Sequence, residues 1–156
     1  ACILGMFFLT LFFSNVEKNQ HNPNREPQSH VMQNAVEVRL KKNRQGHYLV
    51  AGSINHRPVE FLLDTGATDV VVPAELADDL QLNRGRRGTA MTANGSVTVF
   101  ETNIEVLTIG EINLYNVRAS INPSMPTRGV LLGMSALGRI EFSHEGDTLT
   151  LRQKSL

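Results

Sequence analysis

Residues 59–73 read VEFLLDTGATDVVVP. One acid, Asp64, ends an apolar run. Thr65, Gly66, Ala67 and Thr68 follow it, and a second apolar run starts at Val70. Both runs have the length and composition of short strands that bury themselves. The Asp-Thr-Gly between them is turn chemistry. Asp can bond the backbone two residues on, and Gly can take positive φ cheaply. The flanks draw this turn toward the interior, where a solitary carboxylate is costly and needs a partner. No histidine or lysine lies within five residues of Asp64. A second carboxylate brought alongside would share a proton with the first. Such a pair can take a proton from water and give one to a carbonyl in the same step.

The surrounding chain predicts strands. Ala35–Leu40 alternates, His47–Ile54 follows a turn at Gly46, and Arg57–Leu63 follows a turn at Asn55-His56. DVVVP is a short buried strand ended by Pro73. AELADDL is one or two helical turns with Pro73 at its start. Asn94-Gly95 is a strong hairpin signal ahead of the alternating stretch Ser96–Ile109. Ile112–Ile121, Gly129–Gly133, RIEF and TLTLR supply further strands. MSALGRI fits a brief helix with Ser135 as a cap. Many short strands with Gly and Asn turns predict an all-β domain, closed or sandwich-like, with one or two short helices.

Composition narrows the function. Lys plus Arg and Asp plus Glu each number 15, so the net charge is zero and no broad basic surface for nucleic acid is implied. Arg84-Gly85-Arg86-Arg87 reads as a solvated loop. Cys2 is the only cysteine, and the five histidines are scattered, so no metal-ligand spacing occurs. No cofactor is expected.

Residues 1–13, ACILGMFFLTLFF, carry no charge. A spanning helix needs roughly 20 apolar residues, and this run is shorter. It reads as the distal part of a membrane anchor, with a signal-peptide remnant or a core helix as alternatives. Residues 14–30 are polar with two prolines, the composition of a linker. Residues 31–156 are then the folded domain.

Three blocks in order carry a resemblance: FLLDTGATDVVVP, TAMTANGSVTVF and GVLLGMSALGRIEF. Together they resemble the retropepsin-like aspartic proteases, of the bacterial kind carried behind a membrane anchor, and more distantly the retroviral enzymes. The resemblance spans about Val50 to Leu151. It implies a barrel with a flap hairpin, and an endopeptidase in which two copies of Asp64 in a homodimer hold the attacking water. Thr65, Gly66 and Ala67 would support the site. Leu131, Leu132 and Gly133 would pass beneath the catalytic loop. Thr92, Ala93, Asn94, Gly95 and Ser96 would form the flap tip over a peptide bound as an extended strand. A membrane-anchored domain facing the periplasm is the implied setting.

The sequence departs from that pattern in two places, and one of them is the N-terminal interface strand, into which the linker runs directly. Retroviral enzymes often carry an Arg after the glycine of the supporting block, paired with an Asp shortly after the DTG. Here those positions hold Met134 and Thr68, leaving Arg139 and Asp69 as another possible pair. Val71, Val72, Ile121, Leu131 and Met91 are candidates either to line side-chain pockets or to fill the core. The alternative function is a non-catalytic peptide-binding or assembly module on the same fold.

Overall fold

The computed structural model describes residues 17–92, 95–126 and 128–155. Eleven strands follow in chain order. These are β1 (Ser29–Val31), β2 (Ala35–Lys41), β3 (Leu49–Ile54), β4 (Arg57–Leu63), β5 (Val70–Pro73), β6 (Arg87–Thr92), β7 (Gly95–Ile109), β8 (Ile112–Asn122), β9 (Val130–Leu132), β10 (Glu141–Glu145) and β11 (Thr148–Lys154). Single-turn helices cover Ala74–Ala77 and Met134–Leu137.

The turns follow local chemistry. Asn55 and His56 both take positive φ, 50° and 67°, the geometry that a tight two-residue hairpin requires. Gly46 and Gly146 turn the chain at φ 82° and 58°.

The expected closed barrel does not form. The strands divide into two sheets, β1-β2-β11-β10 and β3-β4-β9-β5-β8-β7-β6. The C-terminal β11 pairs with β2 over seven residues and so builds the first sheet instead of closing the second. The second sheet is mixed, because β4–β9 and β5–β8 are parallel. It bends back on itself through only two residue pairs between β3 and β7, and it keeps β6 as an open edge.

The core lies under the long β7–β8 hairpin. Burial changes parity within both strands, from Ile104 to Leu107 and Ile109 in β7 and from Ile112 and Leu114 to Val117, Ala119 and Ile121 in β8. The switch occurs near Asn116, which sits at φ 54°. A strand's side chains alternate strictly, so the flip lets the hairpin turn different faces to the core along its length. Phe61, Val70, Val72, Ile121 and Leu132 are fully or almost fully buried beneath it. Each large apolar side chain contributes about 1.5–3 kcal/mol by leaving water. Of the residues weighed between pocket and core, Val72 and Ile121 are core, Val71 and Leu131 are half-buried, and Met91 is exposed.

The apolar run 1–13 lies outside the described residues. Among those described, no helix is long and apolar enough to cross a membrane. The expectation of a transmembrane helix and a membrane-anchored, periplasmic domain is corrected to that statement, because the described residues hold no such helix. Within residues 14–30, Asn22 and Asn24 are buried against the sheets, and Ser29 opens β1.

Candidate active site

Strand β4 delivers Asp64. Leu62 and Leu63 pair in parallel with Leu131 and Leu132 of β9. The ladder runs one bond past the strand, since the Asp64 N–H donates to the Leu132 carbonyl at 3.1 Å. The chain then turns. The Gly66 N–H donates to Asp64 Oδ1 at 2.9 Å, and the Ala67 N–H donates to the Asp64 carbonyl at 3.2 Å. This is the local turn that an aspartate favours. Among the described residues, the Gly66 N–H is the only hydrogen-bond partner of the carboxylate.

The turn lies at the surface of the chain. Asp64 is half-buried, and Thr65 and Gly66 are exposed. The apolar flanks are buried only outside the loop, at Phe61 and Val70. Positive φ is not what Gly66 provides, because it does not adopt it. It provides space: a Cβ there would stand 3.2 Å from Asp64 Oδ1 and press on the carboxylate.

The 131–135 segment runs beneath this loop and fastens it. A Cβ on Gly133 would collide with the carbonyl oxygens of Asp69 and Ala67, so only glycine permits this approach. The Met134 and Ser135 N–H groups donate to the Ala67 and Thr68 carbonyls, both at 2.8 Å. Ser135 is not a helix cap; Gly133 occupies that position. The Ser135 hydroxyl accepts from the Val70 N–H at 2.9 Å and donates to the Arg118 carbonyl at 2.6 Å. It therefore ties β5 to β8 beside the loop.

Asp69 is held by Arg118, with Nε donating to Oδ1 at 2.7 Å, and more loosely by the Ser120 hydroxyl at 3.4 Å. Arg139 is not its partner and instead donates to the Tyr115 carbonyl at 2.6 Å.

The β6–β7 hairpin carries the remaining candidates. Thr92 pairs with Gly95, and the Thr92 hydroxyl donates to the Gly95 carbonyl at 2.8 Å. Gly95 takes φ 106°. Ser96 donates to the Met91 thioether at 3.1 Å, and Thr92, Gly95 and Ser96 are all exposed. Ala93 and Asn94 lie outside the described residues.

Alternation along β4 separates two surfaces. Leu63 and Thr65 line a groove of about 340 Å³ with Tyr48, Leu137, Phe142 and His144. Glu60 and Leu62 line a different one, of about 460 Å³, with Leu131. In the first groove, burial pushes the Tyr48 hydroxyl above its ordinary pKa, and the Asp147 charge adds to the effect. That hydroxyl is shielded and has no hydrogen-bond partner among the described residues. Lys42 stands 5.9 Å from the centre of the Tyr48 ring. Among the described residues no cluster of His, Cys, Asp or Glu is arranged to hold a metal.

Comparison with known proteins agrees with this arrangement. A family described as gag-polyprotein putative aspartyl protease matches residues 50–139. A retropepsin-like aspartic protease from Rickettsia conorii superposes with a TM-score of 0.66 at 26% identity, over 83% of this chain and 97% of that one. The EIAV protease complexed with the inhibitor HBY-793 superposes with a TM-score of 0.52 at 24% identity, over 64% of this chain and 92% of that one, a likeness of fold. An uncharacterised protein in the cobV 5' region of Sinorhizobium sp is 30% identical over 120 residues, 74% of this chain. The chain spans about half the length of that curated relative, 52%.

Proposed function

The chain belongs to the gag-polyprotein putative aspartyl protease family, and on that premise we propose that it is an aspartic endopeptidase acting through two Asp64 carboxylates in a homodimer. The observation that carries the proposal is the Asp64 loop. Its carboxylate is half-buried, tied by one backbone N–H among the described residues, and held on a scaffold that Gly133, Met134 and Ser135 fasten from below. A carboxylate so positioned and so lightly bonded keeps lone pairs for water.

The mechanism needs a second acid. Within the chain, Asp69 is bound to Arg118, Asp78 and Asp79 are exposed beyond the Ala74–Ala77 helix, and Asp147 lies in the β10–β11 turn. None stands beside Asp64 in a comparable loop. A two-fold axis would supply the partner, because it brings identical residues together. The two carboxylates would then share one proton. The ionised member would take a proton from water as that water attacks the peptide carbonyl. The protonated member would give its proton to the carbonyl oxygen. A tetrahedral gem-diol results. On its collapse the acid that took the water proton gives it to the leaving nitrogen, while the other carboxylate takes back a gem-diol hydroxyl proton. The C–N bond breaks to an amine and a carboxylic acid.

The exposed surfaces suit this reading. Thr65 is exposed beside the Leu63, Phe142 and His144 groove. Strand β10 is an edge with all five residues exposed, Phe142 by 42%. An uncovered edge strand is a template for pairing, and a second copy of this chain is the proposed occupant. Thr65, Gly66 and Ala67 then serve as loop support, and Thr92 to Ser96 as the flap end over a peptide lying as an extended strand. Peptide cleavage by the wild type, compared with Asp64→Asn, tests the proposal. Cleavage products from the wild type alone are expected, and equal cleavage by both proteins would refute it.

A further inference from the structure

The groove of about 460 Å³ has an unexpected wall. Leu49, Leu62 and Leu131 line it, and so does His21, which lies 39 residues before the Glu60 that it meets. The His21 ring Nε2 and Glu60 Oε1 are 2.8 Å apart, and the Asn22 side-chain amide donates to Glu60 Oε2 at 3.2 Å.

That wall is fastened to the domain at several points. The Asn43 side-chain amide donates to the His21 carbonyl at 2.9 Å. The buried Asn24 side chain bridges strands β2 and β3. It donates to the Lys41 carbonyl at 2.9 Å and the Leu49 carbonyl at 2.7 Å, and it accepts from the Lys41 N–H at 2.9 Å. The Ala51 N–H donates to the Asn24 carbonyl at 3.0 Å. A side chain with this many backbone partners holds its segment in one place. Residues 21–24 are thus part of the folded body.

The place matters because of the strand period. Residues two apart on a strand share a face and lie about 7 Å apart. Glu60 and Leu62 therefore form a row that leads to Asp64, and the register puts Leu131 beside Leu62. Leu62, which lines the groove, is two residues from Asp64, and the His21–Glu60 contact belongs to the same lining.

We infer that residues 21–24 form part of the substrate site, and that His21 and Glu60 set which peptide side chain binds next to Asp64. The occupant is an apolar side chain of an extended peptide. Its body would rest on Leu49, Leu62 and Leu131, and its length would be limited by the His21 ring. This inference rests on the protease reading for the identity of the ligand. Its own content is the assignment of specificity to a segment that precedes the β domain.

The test uses the full chain and statine-containing peptides that carry Ala, Leu or Trp beside the statine. Affinity is measured for the wild type, His21→Ala and Glu60→Gln. Cleavage of matched ordinary peptides is measured in parallel. The wild type should prefer Leu over Ala. His21→Ala should raise the Trp-to-Leu ratio about tenfold, the scale on which an apolar pocket discriminates size. Glu60→Gln, which preserves shape and removes the charge that helps hold His21, should move the ratio in the same direction to a smaller extent. The cleavage series should show the change in KM. Ratios within twofold of wild type in both variants would overturn the inference, and continued cleavage would leave the protease reading standing. Shifted ratios without cleavage would support the groove assignment and refute the protease. Absence of both binding and cleavage would overturn both.

Discussion

Arg118 and Asp69 are joined at 2.7 Å across 49 residues of sequence, from β8 to the end of the loop that carries Asp64. The Asp69 side chain is 26% exposed and the Arg118 side chain 68%. The pair stands where the sequence lacks the more usual arginine after Gly133. Arg118→Ala should lower stability by about 1 kcal/mol, the upper end for a partly exposed ion pair. It should reduce peptide cleavage more than stability, since the loop shared with Asp64 loses an anchor. Denaturant unfolding and kcat/KM on the same samples check this. An unchanged kcat/KM would show that the pair is only structural.

Gly133→Ala should be more damaging. Its methyl would meet the Asp69 and Ala67 carbonyls, which belong to backbone and cannot swing aside. A loss of about 1–3 kcal/mol is expected from overpacking of this kind. Thermal unfolding measures it. A variant as stable as wild type would mean that the two segments are farther apart than described.

Tyr48 gives a pH dependence. Burial, and then Asp147, raise its pKa in the folded chain above the ordinary tyrosine value. The folded state therefore favours the neutral phenol relative to the unfolded state. That contribution is fully present below the unfolded pKa of about 10 and is lost as pH rises through the folded value. Stability should fall above about pH 10, and Tyr48→Phe should remove that part of the decline. At neutral pH Tyr48→Phe should cost less than about 1 kcal/mol, because the hydroxyl has no partner to lose among the described residues. Urea unfolding at pH 7 and pH 10.5 of both proteins decides this. The same alkaline loss in Tyr48→Phe would remove Tyr48 as its source.

The hairpin end should exchange its amide protons faster than the strand that bears the acid. Gly95 and Ser96 are exposed at the end of a hairpin where β7 pairs with β6 alone, whereas β4 pairs on both sides, with β3 and β9. Exchange follows local opening. Amide exchange read by NMR should show Ser96 ahead of Phe61 and Leu63, and a bound statine peptide should slow Ser96. Equal protection with and without the peptide would argue against a flap.

Much of this was legible in the sequence, for local reasons. The Asn55-His56 turn, the presence of strands at β7 and β8 and the DTG loop depend on neighbours in the chain. The arrangement of sheets was not legible. The barrel expectation failed because β11 chose β2, a pairing between Ala35 and Lys154 at opposite ends of the domain. Arg118 was missed because one exposed arginine on a strand looks like any other until the register sets it beside Asp69. Asn22 and Asn24 lie in a polar, proline-containing stretch whose composition reads as linker. Their hydrogen bonds to β2, β3 and Glu60 depend on strands that come later in the chain. Glycine was recognised in the DTG loop for its freedom, yet Gly66 does not take positive φ, and what it provides is room beside the Asp64 carboxylate.

The central claim is that Asp64 carries catalysis in a dimer. The most direct measurement is cleavage of a fluorogenic peptide across a dilution series, with sedimentation of the same samples and Asp64→Asn in parallel. Specific activity should fall in step with the dimer fraction. Asp64→Asn should be folded and inactive. An equimolar mixture of the two chains should retain about a quarter of its dimers with both acids, since copies pair at random about a two-fold axis. Full specific activity from a monomer would contradict the dimer, and cleavage by Asp64→Asn would contradict the assignment of the acid.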